Sequence, residues 1–199
     1  MNSSMEQLQR FLGERGIVRA SEVEEEGLSR DLLRRGVDSG VCNRVARGLY
    51  VAADHEYTEH HELAVASKLV SGSVICLISA LSVHELTTQI PHVTWIMIET
   101  DAWKPKIDAV ELEVVRASGE AFERGRASHT IEGVEVQVTT PAKTVADCFR
   151  YRSRVGLDVA LEALREGFSE GAFTMDELWT FAEIDRVANV IRPYAEALW

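Results

Sequence analysis

The sequence predicts an α+β chain in two parts: an N-terminal helix-turn-helix closed by a β-hairpin, then a mixed domain with a small β-sheet and a helical C-terminal tail. Three observations predict it. The stretch Gly27-Leu28-Ser29-Arg30-Asp31-Leu32-Leu33-Arg34-Arg35 holds a turn glycine, a capping serine and the start of an amphipathic helix. The stretch Arg44-Val45-Ala46-Arg47-Gly48-Leu49-Tyr50 reads as one arm of a β-hairpin, short, partly β-branched and closed by Tyr50. Downstream, short β-prone runs give way after Pro141 to helical periodicity.

Met5 to Glu14 reads as the first helix, with Met5, Leu8, Phe11 and Leu12 as its apolar stripe, and Ala20 to Glu26 as a short second one. Gly27 can take the positive φ that ends a helix. Ser29 then caps the third helix, in which Leu28, Leu32, Leu33 and Val37 can share a buried stripe. That leaves Arg30, Arg34 and Arg35 on or near the outer face. Gly40 suits the position just past the helix, and Val41 to Val51 suits a hairpin. Helix-turn-helix followed by hairpin is the winged-helix pattern. In such modules the N-terminal half of the second helix of the motif enters the major groove. Ser29, Arg30, Arg34 and Arg35 sit where those contacts are made, and Arg44 and Arg47 on the wing lie in reach of phosphate. Gly36 breaks the pattern: inside a helix it costs about 1 kcal/mol against alanine. It either permits a close approach to another backbone or marks an early helix end.

Charge is distributed unevenly over the 199 residues. The net charge is −11, which argues against a protein that coats nucleic acid indiscriminately. Residues 1–54 carry eight Arg and nine Asp or Glu, a net of −1, so residues 55–199 carry −10. Within 27–50, five Arg stand against two Asp. A local basic patch in an acidic chain can bind DNA while the remainder limits non-specific adhesion. We place the boundary near Asp54-His55-Glu56: residues 1–54 as the DNA-binding domain, residues 55–199 as the second domain. Cys42, Cys76 and Cys148 are widely spaced in apolar company, which suggests buried thiols in a reducing compartment. No basic segment followed by an apolar core opens the sequence, and no apolar run approaches the roughly 18–20 residues needed to span a bilayer. A cytoplasmic location is expected.

In the second domain, Thr58 to Leu69 reads as a helix and Ser73 to Ile78 as a buried strand. Ser79 to Leu86 reads as a helix capped by Ser79. Thr94 to Glu99 and Leu112 to Arg116 read as strands, and Thr130 to Val138 as two strands about a Glu132-Gly133 turn. Helices follow over 141–151, 156–167, 174–184 and 187–198, with Pro141 at the first helical position and Thr140 as its cap.

No catalytic constellation emerges. Glu99, Asp101, Glu111 and Glu113 fall near strand ends, but a carboxylate–lysine nuclease needs a Glu-x-Lys that does not occur. Lys143 is expected to be solvated or to pair with a neighbouring carboxylate. His55, Glu59, His60 and His61 could be drawn as a metal site, but adjacent His60 and His61 point to different faces, and a solvated run is the better reading. His84 reads as a hydrogen-bonded core residue and Ser79 as a cap, since no G-x-S-x-G surrounds it. No GxxxxGK phosphate loop is present. Trp95, Trp103, Trp179 and Trp199 read as core and domain-contact residues. No metal and no cofactor are expected.

Several segments, in order, resemble the AbiEi-type antitoxins of type IV toxin–antitoxin systems. In the first domain these are Gly27-Leu28-Ser29-Arg30, Leu33-Arg34-Arg35 and Arg44-Val45-Ala46-Arg47-Gly48-Leu49-Tyr50. In the second they are Ser79-Ala80-Leu81-Ser82-Val83-His84-Glu85-Leu86, Pro91 and Thr140-Pro141-Ala142-Lys143-Thr144-Val145-Ala146-Asp147-Cys148. Gly156-Leu157-Asp158 and Ala160-Leu161-Glu162-Ala163-Leu164 complete the set. The resemblance implies a winged helix followed by an antitoxin domain, repression of the protein's own promoter, and opposition to a co-encoded nucleotidyltransferase-type toxin without a stable complex. Inverted repeats are expected at the promoter because that symmetry accommodates paired modules. Gly36 departs from it, since similar chains often carry a large apolar residue there, and so does the acidity of the second domain. Two other readings stand beside it. One is a plain winged-helix regulator without a toxin. The other is an enzyme or effector-binding protein that uses the winged helix as an interaction module.

Overall fold

The computed structural model describes residues 3–198. Trp199, and Met1 and Asn2 at the start of the N-terminal reading, lie outside the described residues. The chain divides into two compact units. The first comprises Met1–Ser71, Lys106–Val110 and Thr130–Val136, and the second Gly72–Pro105, Glu111–His129 and Gln137–Trp199.

The first unit runs α1 (Ser3–Arg15), β1 (Val18–Arg19), α2 (Ala20–Glu25), α3 (Arg30–Asp38), β2 (Cys42–Ala46), β3 (Leu49–Ala52) and α4 (His61–Leu69). Its strands form one antiparallel sheet in the order β1-β3-β2. This is a winged helix-turn-helix. Strand β1 was not expected; at two residues it is too short to show a period of two, and it exists because Val18 and Arg19 pair with Tyr50 and Leu49.

Both glycines flanking α3 close helices as expected. At Gly27 (φ +82°) its N–H donates to Glu24 O at 2.9 Å and that of Leu28 to Val23 O at 3.1 Å. At Gly40 (φ +73°) its N–H donates to Val37 O at 3.1 Å and that of Val41 to Gly36 O at 2.8 Å. Each pair satisfies carbonyls that a helix end leaves open. The hairpin turns at Arg47-Gly48, with Gly48 at φ +78° and a bulge between Arg44 and Ala46.

Leu8, Leu12, Val18, Val23, Leu32, Leu33, Cys42 and Ala52 form the core of this unit. Val37, expected in the buried stripe, is 39% exposed. The position facing the core after Leu33 is Gly36 instead. A Cβ there would lie 2.9 Å from Cys42 Sγ and 3.1 Å from Leu8 Cδ2. So the close approach is made by side chains rather than by a backbone, and α3 continues past it to Asp38. Gly36→Val should therefore lower stability by about 1–3 kcal/mol through overpacking, read as a lower urea midpoint at unchanged slope. Cys42→Ala in the same chain should recover part of the loss.

The units part at residue 71, whereas the sequence reading drew its boundary at 54. Residues 55–61 and α4 fall in the first unit, as does the Glu132-Gly133 turn. Helix α4 begins at His61 rather than Thr58, because Thr58 spends its N–H and hydroxyl on the Glu132 carboxylate, at 2.7 and 2.9 Å.

Farther along the chain come β4 (Val74–Ile75), α5 (Leu77–Val83), β5 (Thr94–Glu99), β6 (Leu112–Ala117), α6 (Glu120–Glu123), β7 (Arg126–Ile131) and β8 (Val134–Thr139), of which the turn ends of β7 and β8 fall in the first unit and the rest in the second. Then come α7 (Pro141–Arg150), α8 (Arg152–Val155), α9 (Leu157–Ser169), α10 (Met175–Ile184) and α11 (Ala188–Glu196). The sheet order is β6-β5-β4-β8-β7. Strands β5 and β6 pair in parallel, as do β4 and β8, and β4 and β5 pair antiparallel. Sheet residues Val74, Met97 and Val115 share a core with Phe149, Leu164, Leu178 and Ile191 from the helices. The Glu132-Gly133 turn has φ values of +49° and +76°, the pattern of a type I′ hairpin.

Several expectations are corrected here. Only Val74–Ile75 of the 73–78 run is strand. Helix α5 starts at Leu77, and Ser79 lies inside it, accepting the Trp95 N–H at 2.9 Å rather than capping. Thr140 occupies the cap position before Pro141, but its side chain makes no cap bond. The described tryptophans divide: Trp95 is buried, Trp179 packs against the core, and Trp103 is 96% exposed in the loop after β5. The three cysteines are buried and free.

Candidate nucleic-acid interface

Helix α3 presents its arginines because its apolar residues are committed to the other side. Leu32 and Leu33 are buried, while the side chains of Arg30, Arg34 and Arg35 are 69%, 74% and 50% exposed. Ser29 starts the helix, its hydroxyl accepting the Leu32 N–H at 3.3 Å. That bond fixes where Arg30 begins the first turn. On the wing, Arg47 is exposed at the tip of the turn, and exposed Arg44 donates from Nε to Ala46 O at 3.2 Å. The tether bridges the bulge and fixes the direction of the Arg44 guanidinium.

Each helix arginine has a carboxylate partner. Arg30 pairs with Glu24 at 2.8 Å, and Arg34 and Arg35 reach the two oxygens of Asp31 at 2.7 and 3.3 Å. The Arg34 hydrogen bond holds the Asp31 carboxyl below its ordinary range. All these pairs are solvated, and such pairs contribute little to stability. They can be exchanged for phosphate or base contacts at little cost, and they keep the arginine side chains ordered meanwhile.

The structure also joins residues that the sequence keeps apart. His55 Nε2 and His61 Nδ1 each lie 2.7 Å from Glu132 Oε2, while His60 and Glu59, grouped with them in the sequence, take no part. Glu132 is 71 residues beyond His61, so no local spacing could have announced it. Its carboxyl loses solvation by burial, yet hydrogen bonds from the two histidines and Thr58 outweigh that and bring its pKa down to about 2.

In the second unit Lys143 is buried, not solvated, and pairs with two carboxylates. One is Asp147, a turn along α7, and the other is Asp185, at 3.1 Å just past α10. Arg150 reaches Asp185 from the other side at 3.1 Å. His84 meets Thr139 O at 2.6 Å, as a hydrogen-bonded residue should, and burial lowers its pKa. The strand-end carboxylates gather nothing among the described residues: Glu99, Asp101 and Glu111 are exposed, and Glu113 pairs with Arg154. No described helix is long and apolar enough to cross a membrane.

The chain finds no match among curated proteins. Over most of its length it is similar to the crystal structure of the RV2827C protein from Mycobacterium tuberculosis. The TM-score is 0.60 at 12% identity, covering 92% of this chain and 72% of that one. At that identity the likeness is one of fold. Residues 6–53 match a family described as "Transcriptional regulator, AbiEi antitoxin". That segment holds the turn at Gly27, the arginine face of α3 and the wing, and over it the chain is similar to the AbiEi antitoxin transcriptional regulators.

Proposed function

We propose that the protein is a DNA-binding repressor of its own promoter and the antitoxin of a type IV toxin–antitoxin pair, acting in the cytoplasm without an enzymatic step. Its opposite number is a co-encoded nucleotidyltransferase-type toxin, with which it forms no stable complex. The observation that carries the reading is the solvent-facing row Arg30, Arg34 and Arg35 on a helix capped by Ser29, inside the segment that matches a regulator family. In use, α3 enters the major groove, its arginines reaching base edges, and Arg44 and Arg47 follow the flanking phosphates. Two copies on an inverted repeat would place two such helices in successive grooves. The residues beyond 54 carry the antitoxin role, since their net charge of −10 opposes contact with a phosphate backbone.

Growth of cells expressing the neighbouring toxin tests the reading. The whole chain, expressed from an unrelated promoter, should restore growth. It should still do so with Arg30, Arg34 and Arg35 all changed to alanine, while that variant no longer represses a reporter behind the native promoter. If the unaltered chain represses the reporter but never restores growth, the antitoxin role is wrong and a plain regulator remains.

A further inference from the structure

We propose that His55, His61 and Glu132 form a binding site for one divalent transition-metal ion of the zinc type. The three side chains offer two imidazole nitrogens and one carboxylate oxygen, all within 4.8 Å of one another. Two nitrogens and an oxygen suit a borderline first-row ion such as Zn2+ better than Mg2+ or Ca2+, which favour all-oxygen sets. Three protein ligands leave a fourth tetrahedral position for water or an exogenous ligand.

The site is built and not merely crowded. The Glu132 side chain is 1% exposed, and it is aimed by its surroundings. Its Oε1 accepts both the Thr58 N–H and the Thr58 hydroxyl, which leaves Oε2 to face the two histidines. A supporting hydrogen bond of this kind fixes the orientation of a ligating carboxylate. The backbone beneath is also held. Glu132 O accepts the Ile17 N–H at 3.2 Å, and a Cβ on Gly133 would fall 2.1 Å from Arg15 O, so the turn is seated where only glycine fits. The Tyr57 ring meets both imidazoles edge-on, at 5.2 and 4.7 Å between centroids, and limits their rotation.

A latch between residues 55–61 and the turn would need one imidazole on the carboxylate. Two on the same oxygen, with the other oxygen already saturated by Thr58, is a donor set directed at one point. In a tetrahedral site with ligand bonds of roughly 2.0–2.1 Å, neighbouring ligand atoms stand roughly 3.3 Å apart. The present contacts of 2.7 Å would open by about half an ångström, within the reach of small side-chain rotations.

Zn2+ titrated into the whole, chelator-stripped protein by isothermal calorimetry tests the site. One equivalent should bind, and in excess Zn2+ the thermal midpoint should rise by about 5–10 °C at a concentration a hundred times Kd. His55→Gln and His61→Gln keep a hydrogen-bonding group against Glu132 but remove the ligand. Since losing a mere supporting partner costs 10–100-fold in metal affinity, each should weaken binding by at least about 100-fold. His60→Gln should change nothing. No binding by the unaltered chain, equal binding by His55→Gln, or loss with His60→Gln would each overturn the assignment. Retention of the native circular dichroism in the glutamine variants keeps the comparison valid if Glu132→Gln fails to fold.

Discussion

Lys143→Met is expected to lower stability by about 3–5 kcal/mol, because it leaves two buried carboxylates with one cation between them. The lysine is 1% exposed and touches Asp147 and Asp185, themselves 1% and 0% exposed. Arg150 can still neutralise Asp185, but Asp147 has no second cation among its ion pairs. For a chain of this size the loss corresponds to a thermal midpoint about 6–20 °C lower. Burial already pushes the Asp147 carboxyl well up from its ordinary value; Lys143 opposes the shift and the Asp185 charge adds to it. With the lysine gone that carboxyl titrates higher still. A group whose folded pKa is raised stabilises the fold when protonated and ceases to as the pH climbs. The deficit should therefore be largest at alkaline pH and shrink on acidification. Lys143→Met with Asp147→Leu removes both members of the nearer pair, and should recover most of the loss. Equal midpoints for Lys143→Met and the unaltered chain, by calorimetry, would show that the cluster contributes nothing.

Alanine at Arg30, Arg34 or Arg35 is expected to weaken promoter binding by about 1–3 kcal/mol wherever the arginine reaches a base edge, or about 5- to 150-fold in Kd. Arg30→Ala also frees the Glu24 carboxylate, whereas Arg34→Ala and Arg35→Ala each leave Asp31 paired with the other arginine. Arg44→Ala and Arg47→Ala should act differently. A phosphate contact carries no sequence information, so specific and unrelated DNA should be weakened alike, and the slope of log K against log salt should flatten by about one per contact. Mobility-shift titrations on promoter and scrambled DNA separate the two classes.

How far the sequence could be read depended on whether the determining contacts were local. The helix-turn-helix was legible because its signals lie within a few residues of what they decide: Gly27 ends α2 and Ser29 caps α3. The wing was legible as a hairpin, but its turn at Arg47-Gly48 falls inside a stretch that reads as one arm. Thr94 to Glu99 was legible as a strand because six residues suffice to show a β-prone, buried run. Strand β1 was not, since it consists of two residues recruited by Tyr50 and Leu49. Val37 misled because helical spacing permits either it or Gly36 to follow Leu33 inward, and only the positions of Cys42 and Leu8 decide between them. Ser79 looked like a cap because the helix start at Leu77 depends on tertiary context. The histidine–glutamate cluster and the Lys143–Asp185 pair have partners 42 to 77 residues away, so the side chains were visible in the sequence and their geometry was not. Lys143 and Asp147, four residues apart, lay within local spacing.

The most direct measurement is a salt-series mobility-shift titration of the native promoter with the unaltered chain and with the Arg34→Ala/Arg35→Ala/Arg47→Ala variant, both checked for native circular dichroism. The unaltered chain should bind the promoter in preference to scrambled DNA, with a steep salt dependence. The variant should lose that preference and show a shallower slope. Undiminished promoter affinity in the folded variant would contradict the placement of the DNA contacts on α3 and the wing.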